Sequence, residues 1–217
     1  NSQHHFARKP QAAMDRARQQ TAEALGCKPN EVYFTGSGSE ANTWALKGIA
    51  FARQERGRHI LISSIEHPSV MNSGVWLSRN GFEVEKLEVT PEGFVTVDEL
   101  RRKIRKDTVL VSVMLANNEI GTLEPVKELA EATHEAGALF HSDCVQAVGA
   151  VPVNVKELKV DLATCSAHKF YGPKGVGALY IRNGIKVDKL IAGGGQERTM
   201  RGGTSNVPGI VGMGSAI

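Results

Sequence analysis

Long apolar runs are missing from this chain. No stretch approaches the roughly 20 residues that a membrane-spanning helix needs. Cysteine is scarce: the three residues Cys27, Cys144 and Cys165 carry neither the paired spacing of a zinc site nor the density of a disulfide framework. That predicts free thiols in a reducing compartment, the cytoplasm. Charge of one sign is lacking too. Lys and Arg number 26 against 23 Asp and Glu, a formal net charge of +3. The densest basic run, Arg101-Arg102-Lys103, falls in a helix-like segment and reads as a solvated face. Neither nucleic acid nor membrane is therefore expected as a partner. His4 and His5 are adjacent near the chain start and make no ligand set, so no metal is expected. There is no internal repeat and no low-complexity linker. What remains is an ordinary globular composition, 41% hydrophobic and 23% charged, in 217 residues, enough for one domain with a real core.

Strand-like and helix-like runs alternate along it. Residues 11–25 are amphipathic and end at Gly26. Val32-Tyr33-Phe34 reads as a strand before Gly36-Ser37-Gly38-Ser39-Glu40, and a helix follows to about Gln54. Strands are predicted at His59–Ile62, Glu83–Leu87, Val109–Val113, Leu139–His141, Leu162–Cys165 and Gly177–Ile181. Helices are predicted at Pro68–Arg79, Val97–Lys106 and Pro125–Ala136. Strands separated by helices of this length imply βαβ crossovers, hence an α/β fold with a mostly parallel sheet between helix layers. Gly177–Ile181 is the strand whose direction stays open. The opening on Asn1 and a close at Gly209–Ile217 that reads as the start of a helix predict a piece of a longer protein.

Ligands of such sheets bind beyond the carboxyl ends of the strands. The chemically distinctive segments all sit there: Thr35–Glu40, Glu66-His67, Asn117–Gly121, Asp143–Gln146 and Ser166–Lys169. They should meet at one edge. Lys169 stands after Cys165-Ser166-Ala167-His168 and before a Gly172-Pro173 turn. A lysine partly withdrawn from water has a lowered pKa and becomes a nucleophilic amine. Asp143 closes an apolar strand, where it could cap the next helix or balance a pyridinium. A lysine able to form a Schiff base, with an aspartate to hold a ring nitrogen protonated, is the pairing a pyridoxal phosphate (PLP) enzyme needs. The glycine-rich loop Gly36–Glu40 supplies close backbone approach and a helix start suited to an anion. On its own it reads more simply as a Ser N-cap with Glu in the first turn. His67 suits stacking on a planar ring, though a lone His is usually just hydrogen-bonded. Asn117–Gly121 is either a polar turn with a left-handed Gly or a source of amides for a ligand. Ser166 and His168 are donors available to a phosphate. Cys144 and Cys165 sit in or beside apolar runs and more simply pack than react, and Cys27 lies after a helix with nothing to lower its pKa.

Taken together and in order, these segments, with Gly193-Gly194-Gly195-Gln196-Glu197-Arg198 and Arg201-Gly202-Gly203-Thr204, resemble the cysteine desulfurases of the NifS/IscS type within the class V aminotransferases. The resemblance implies a PLP-dependent fold type I large domain over residues 1–217, incomplete at both ends, with the small C-terminal domain absent. It implies that Lys169 is the Schiff-base lysine, Asp143 the ring-nitrogen partner, Gln146 a donor to the ring hydroxyl and His67 the stacking residue. Lys169, His67 and Asp143 would be catalytic. Gly38, Ser39, Ser166 and His168 would hold the phosphate, and Asn118 would lie beside cofactor and substrate. Thr204 would reach the phosphate site of the neighbouring subunit in a homodimer. The implied reaction converts L-cysteine to L-alanine and leaves sulfur as a persulfide on an enzyme cysteine, for delivery to an iron–sulfur scaffold or another acceptor protein. Two departures stand out. The loop reads Thr35-Gly36-Ser37-Gly38-Ser39-Glu40, where the family usually has Thr-Ser-Gly-(Ala/Gly)-Thr-Glu. None of Cys27, Cys144 and Cys165 falls where the family's persulfide cysteine belongs, so the chain alone is expected to be inactive. The alternatives are a selenocysteine lyase and a non-catalytic PLP-binding homologue.

Overall fold

The computed structural model describes residues 7–217. Helix α1 (Arg8–Leu25) ends at Gly26, whose φ of +69° lets its N–H reach back to the helix carbonyls. The chain then alternates β1 (Val32–Thr35), α2 (Gly38–Ala52), β2 (His59–Ser63), α3 (Pro68–Arg79), β3 (Glu83–Leu87), α4 (Val97–Lys103), β4 (Thr108–Ser112), α5 (Val126–Glu135) and β5 (Leu139–Asp143). Strands β6 (Leu162–Ser166) and β7 (Gly177–Ile181) follow, and helix α6 (Val207–Ala216) closes the described fold.

Local chemistry starts the helices where they start. Ser37 caps α2 by accepting from the Glu40 N–H. Thr96 does the same for α4 through Glu99, with Asp98 and Glu99 in its first turn and Arg101–Lys103 in its last, each sign where the helix dipole favours it. Helix α3 opens with Pro68 at its first position.

The seven strands order as β1-β7-β6-β5-β4-β2-β3. Pairings among β3, β2, β4, β5 and β6 are parallel, and β7 runs antiparallel to both its neighbours. The open direction of Gly177–Ile181 is thereby settled: it inserts reversed between β6 and β1. The reason is local. The link from Ser166 to Gly177 holds only a short 3₁₀ turn and a Gly-Pro corner, too little chain for a parallel crossover.

Alternating strand side chains feed two cores. Ile60 and Ile62 of β2 and Leu179 and Ile181 of β7 pack with α2 and α3, around Trp44, Ile49 and Leu77. Leu61, Phe140, Ala178 and Tyr180 pack on the other face with α1, α5 and α6. Helices cover both faces, so the central strands β2, β4, β5, β6 and β7 are buried along their whole length. Strands β1, β2, β4, β5 and β6 end at one edge, and β7 begins there, with Gly177 opposite both Thr35 and Ser166.

Candidate functional site

At that edge lies a cleft of about 330 Å³. Its lining comes from five strand ends: Ser37, Gly38, Ser39 and Asn42 after β1, His67 and Ser69 after β2, Met114 and Asn118 after β4, Asp143, Val145 and Gln146 after β5, and Ser166, His168 and Lys169 after β6. Gly38, Ser39, His67, Asn118, Asp143, Gln146, Ser166, His168 and Lys169 are thus brought to one place. Thr204 is not. It lies exposed beside a separate small cavity with Thr35, Gly36 and Arg201.

Asp143 ends β5 with its carboxyl almost wholly buried. Oδ1 accepts from the Val145 N–H at 2.9 Å and Oδ2 from Asn42 Nδ2 at 2.6 Å. Burial raises its pKa from the usual carboxylate value, while those two bonds and the nearby His67 and Lys169 side chains pull it down. Asn42 also donates to Ser69 Oγ at 2.9 Å, and Ser69 Oγ lies 2.8 Å from His67 Nδ1. His67 is the N-cap of α3, its Nδ1 accepting from the Ser69 N–H at 3.1 Å. That bond leaves the proton on Nε2 and fixes the ring at the cleft wall. Asp143, Asn42, Ser69 and His67 form one chain of hydrogen bonds across three elements.

The glycine-rich loop has the cap of its simpler reading, and its helix start faces the cleft. Ser37 is the cap, Glu40 is in the first turn, and the same helix start lines the cleft. Glu40 is held by Arg201 and accepts from the Gly36 N–H at 2.9 Å. A Cβ on Gly38 would meet Val145 Cγ2 at 2.9 Å and Ser166 Cβ at 3.2 Å, so a larger residue would crowd the cleft floor. Ser166 Oγ pairs with His168 Nδ1 at 3.0 Å.

Lys169 differs from expectation. It ends a 3₁₀ turn (Ala167–Lys169) and is exposed at the cleft rather than withdrawn from water. The turn leaves its side chain at the rim, and Tyr171, at φ +64°, swings the chain away into Gly172-Pro173. Asn117 is a scaffold: its Oδ1 accepts from the Glu119 and Ile120 N–H groups, Gly121 follows at φ +75°, and Asn118 reaches the cleft.

Asn42, Ser69 and the buried Glu66 behind them were not singled out as site residues from the sequence. A signal for Asn42 existed: an Asn amid a helix of Ala41, Trp44 and Ala45 is a poor helix former on a buried face. Cys144 and Cys165 pack, as expected, and Cys27 lies half-buried against the core. Burial pushes Cys27 and Cys165 up to about 12 and raises Cys144 further, and none of them lines the cleft. Among the described residues no group of three or more His, Cys, Asp or Glu gathers to hold a metal ion, and His4 and His5 lie outside those residues. No helix among the described residues is long and apolar enough to cross a membrane.

Comparison with known proteins places these features in a family. The aminotransferase class-V model matches residues 1–217. A cysteine desulfurase IscS from Methanosarcina thermophila is 55% identical over 204 residues, covering 94% of this chain and 50% of that protein. One from Dictyoglomus turgidum is 53% identical over 217 residues, 100% of this chain and 55% of that protein. Among solved structures, a NifS-like protein superposes with a TM-score of 0.97 at 43% identity, covering 100% of this chain and 60% of the other. SspA in complex with cysteine gives 0.95 at 40% identity, covering 98% and 62%. The chain spans about half the length of the curated relatives it matches.

Proposed function

The chain belongs to the class-V aminotransferase family, and from that premise we propose that residues 1–217 form the PLP-binding large domain of an L-cysteine desulfurase. The observation that carries the reading is the convergence of Lys169, Asp143, His67 and the α2 N-terminus on one cleft.

The residues fit PLP. Gly38 lets the helix start approach the cleft closely, since a Cβ there would crowd Val145 and Ser166. The first-turn N–H groups of a 15-residue helix, with the Ser39 and Ser166 hydroxyls, make a donor set for a phosphate dianion. Asn42, which lines the cleft, keeps a buried Oδ1 with no hydrogen-bond partner. When bound, PLP supplies an aldehyde that condenses with amines and a ring that accepts the electrons of a carbanion.

This chain's own groups do the rest. Asp143, its carboxylate aimed by Asn42 and Val145, would hold a proton on the ring nitrogen and so keep the ring electron-poor. His67, fixed by Ser69, would stack on the ring. Gln146 would donate to the ring hydroxyl. Lys169 would supply the amine that holds the cofactor and the base that moves a proton at the substrate α-carbon. Asn118 would lie beside cofactor and substrate.

The substrate is L-cysteine and the products are L-alanine and a persulfide on an enzyme cysteine. A thiolate attacks the substrate sulfur, and the carbon–sulfur bond breaks toward the substrate carbon. Cys144 and Cys165 are buried, Cys27 is half-buried, and all three are elevated in pKa and away from the cleft, so we place that nucleophile outside residues 1–217. The working unit is a homodimer in which Thr204, outside its own cleft, serves the phosphate site of the second subunit. An iron–sulfur scaffold or similar acceptor takes the sulfur, in the cytoplasm, where the free thiols of the fold stay reduced.

The test is spectroscopic. PLP added to the purified protein should give the absorbance of a lysine-linked cofactor. Borohydride reduction and peptide mapping should then place the pyridoxyl group on Lys169. A label on another lysine, or none, overturns the reading. Cysteine added to the full-length protein should release alanine in step with persulfide.

A further inference from the structure

Resting on the cofactor reading above, we propose that Glu66 is a positioning residue: as a neutral carboxylic acid buried behind the cleft, it sets the spacing between the His67 wall and the Met114–Asn118 wall. Glu66 follows β2 and precedes His67. Its Oε1 accepts from Ser63 Oγ at 2.7 Å and from the Met114 backbone N–H at 2.6 Å. The first bond ties it to the end of β2, the second to the segment leaving β4. A second brace runs alongside, from Asn117 Nδ2 to the Ile65 carbonyl at 2.9 Å. Residues 65 and 66 therefore hold residues 114 and 117 across the sheet edge, and the neighbouring His67 and Asn118 line the cleft.

The protonation state follows from the surroundings. Glu66 is 7% exposed, and its Oε2 has no hydrogen-bond partner. An anion with an orphan oxygen in a dry site is costly, whereas the neutral acid keeps both Oε1 bonds and leaves only an unpaired hydroxyl, at smaller cost. Burial pushes its pKa up to about 8. Asp143 on β5 and Glu124 before α5 add repulsion, against the pull of the Ser63 and Met114 bonds. Both acidic neighbours are themselves raised by burial.

The sign of the pH effect is fixed by the direction of the shift. A folded-state pKa raised above the unfolded value gives a contribution that is complete below about 4.5, is lost as pH rises toward about 8, and is constant beyond. Glu66→Gln keeps an acceptor oxygen for Ser63 and Met114 and cannot ionise. Glu66→Ala removes the strut.

The experiment compares the full-length native protein, Glu66→Gln and Glu66→Ala in two readouts: PLP dissociation constants at pH 7 by absorbance titration, and melting temperatures without PLP from pH 5 to 8. Glu66→Gln should bind PLP within about twofold of native, and Glu66→Ala about tenfold more weakly, the scale of a lost buried hydrogen bond. The melting temperature of the native protein should fall relative to Glu66→Gln as pH rises from 5 to 8. Superimposable melting curves for native and Glu66→Gln overturn the proposal, as does native-like PLP affinity in Glu66→Ala. If Glu66→Ala does not fold, the native and Glu66→Gln melting curves decide. Failure of the native protein itself to bind PLP sinks the cofactor reading and this role with it, whereas intact binding with superimposable curves sinks the neutral strut alone.

Discussion

Asp143 and Asn42 act as one unit, because the 2.6 Å bond between them decides where the carboxylate points. In the full-length protein, Asp143→Asn should cut kcat by roughly 10²-fold or more while PLP affinity changes much less, since phosphate contacts remain and only the charge holding the ring proton is lost. Steady-state turnover beside a PLP titration checks the split, and unchanged turnover would leave Asp143 a structural cap. Asn42→Ala strips one donor from a buried carboxyl and should lower stability by about 1–3 kcal/mol, read from denaturant unfolding. It should also free His67, whose partner Ser69 loses the same amide. His141 shows the reverse pH logic to Glu66. Buried between Ser112 and Thr164, it is driven down to about 3 and stays neutral. A depressed pKa gives stability that is present above about 6.5 and lost toward 3, at no more than about 1.4 kcal/mol per pH unit. Lys169, Asp143 and His67 were legible in the sequence because their chemistry is rare at a strand end. Asn42 and Ser69 were not, and Glu66 only as part of the Glu66-His67 segment, since a polar side chain on a helix or in a loop gives no sign of burial until the sheet is assembled around it.

The elements were easier to read than their joints. Periodicity marked α3, β3 and β7 to the residue, because Pro68 starts the first and glycines or turn residues bound the others. Helix α4 stops short of the predicted Val97–Lys106: it ends at Lys103, where Ile104 turns extended. The 3₁₀ turn of Gln196–Thr199 left no periodic signal. It holds Glu197, Arg198 and Thr199 at φ of 45°, 56° and 70°, each a strain of about 1 kcal/mol or more for a residue with a Cβ. What stabilises it is long-range. Glu197 takes a two-pronged bond from Arg18 of α1, at 2.8 Å on each oxygen, and a third from the Phe34 N–H of β1. Arg198 reaches the Val32 carbonyl. Those partners lie more than a hundred residues away, beyond any local reading. Glu197→Ala should therefore lower stability by roughly 1.5–3 kcal/mol, the worth of hydrogen bonds to a charged group. A double-mutant cycle with Arg18→Ala should show most of that loss as coupling. Independent, additive losses would mean that the turn stands without its clamp.

At the scale of the whole molecule, the proposed reading separates cofactor chemistry from sulfur chemistry. The sheet edge gathers the residues proposed to hold PLP, from five strand ends in one cleft. The thiols sit elsewhere: Cys144 and Cys165 pack inside the core, and Cys27 packs against it. A thiol buried without a cation beside it is a poor nucleophile, because its thiolate is the form that burial disfavours. Native protein at pH 8 should therefore take up almost no iodoacetamide at these three positions, while urea-unfolded protein should take up all of it, as counted by mass. The same reasoning governs turnover. Breaking the carbon–sulfur bond of cysteine requires a thiolate held within reach of the substrate sulfur, and such positioning supplies a large part of the rate enhancement. Residues 1–217 by themselves should thus bind PLP through Lys169 yet release neither sulfide nor alanine from cysteine at a catalytic rate, measured by methylene blue formation and amino-acid analysis. Turnover by this chain that disappears on mutating Cys27, Cys144 or Cys165 would place the nucleophile inside it. That would also require the segment bearing that cysteine to leave the core and reach Lys169.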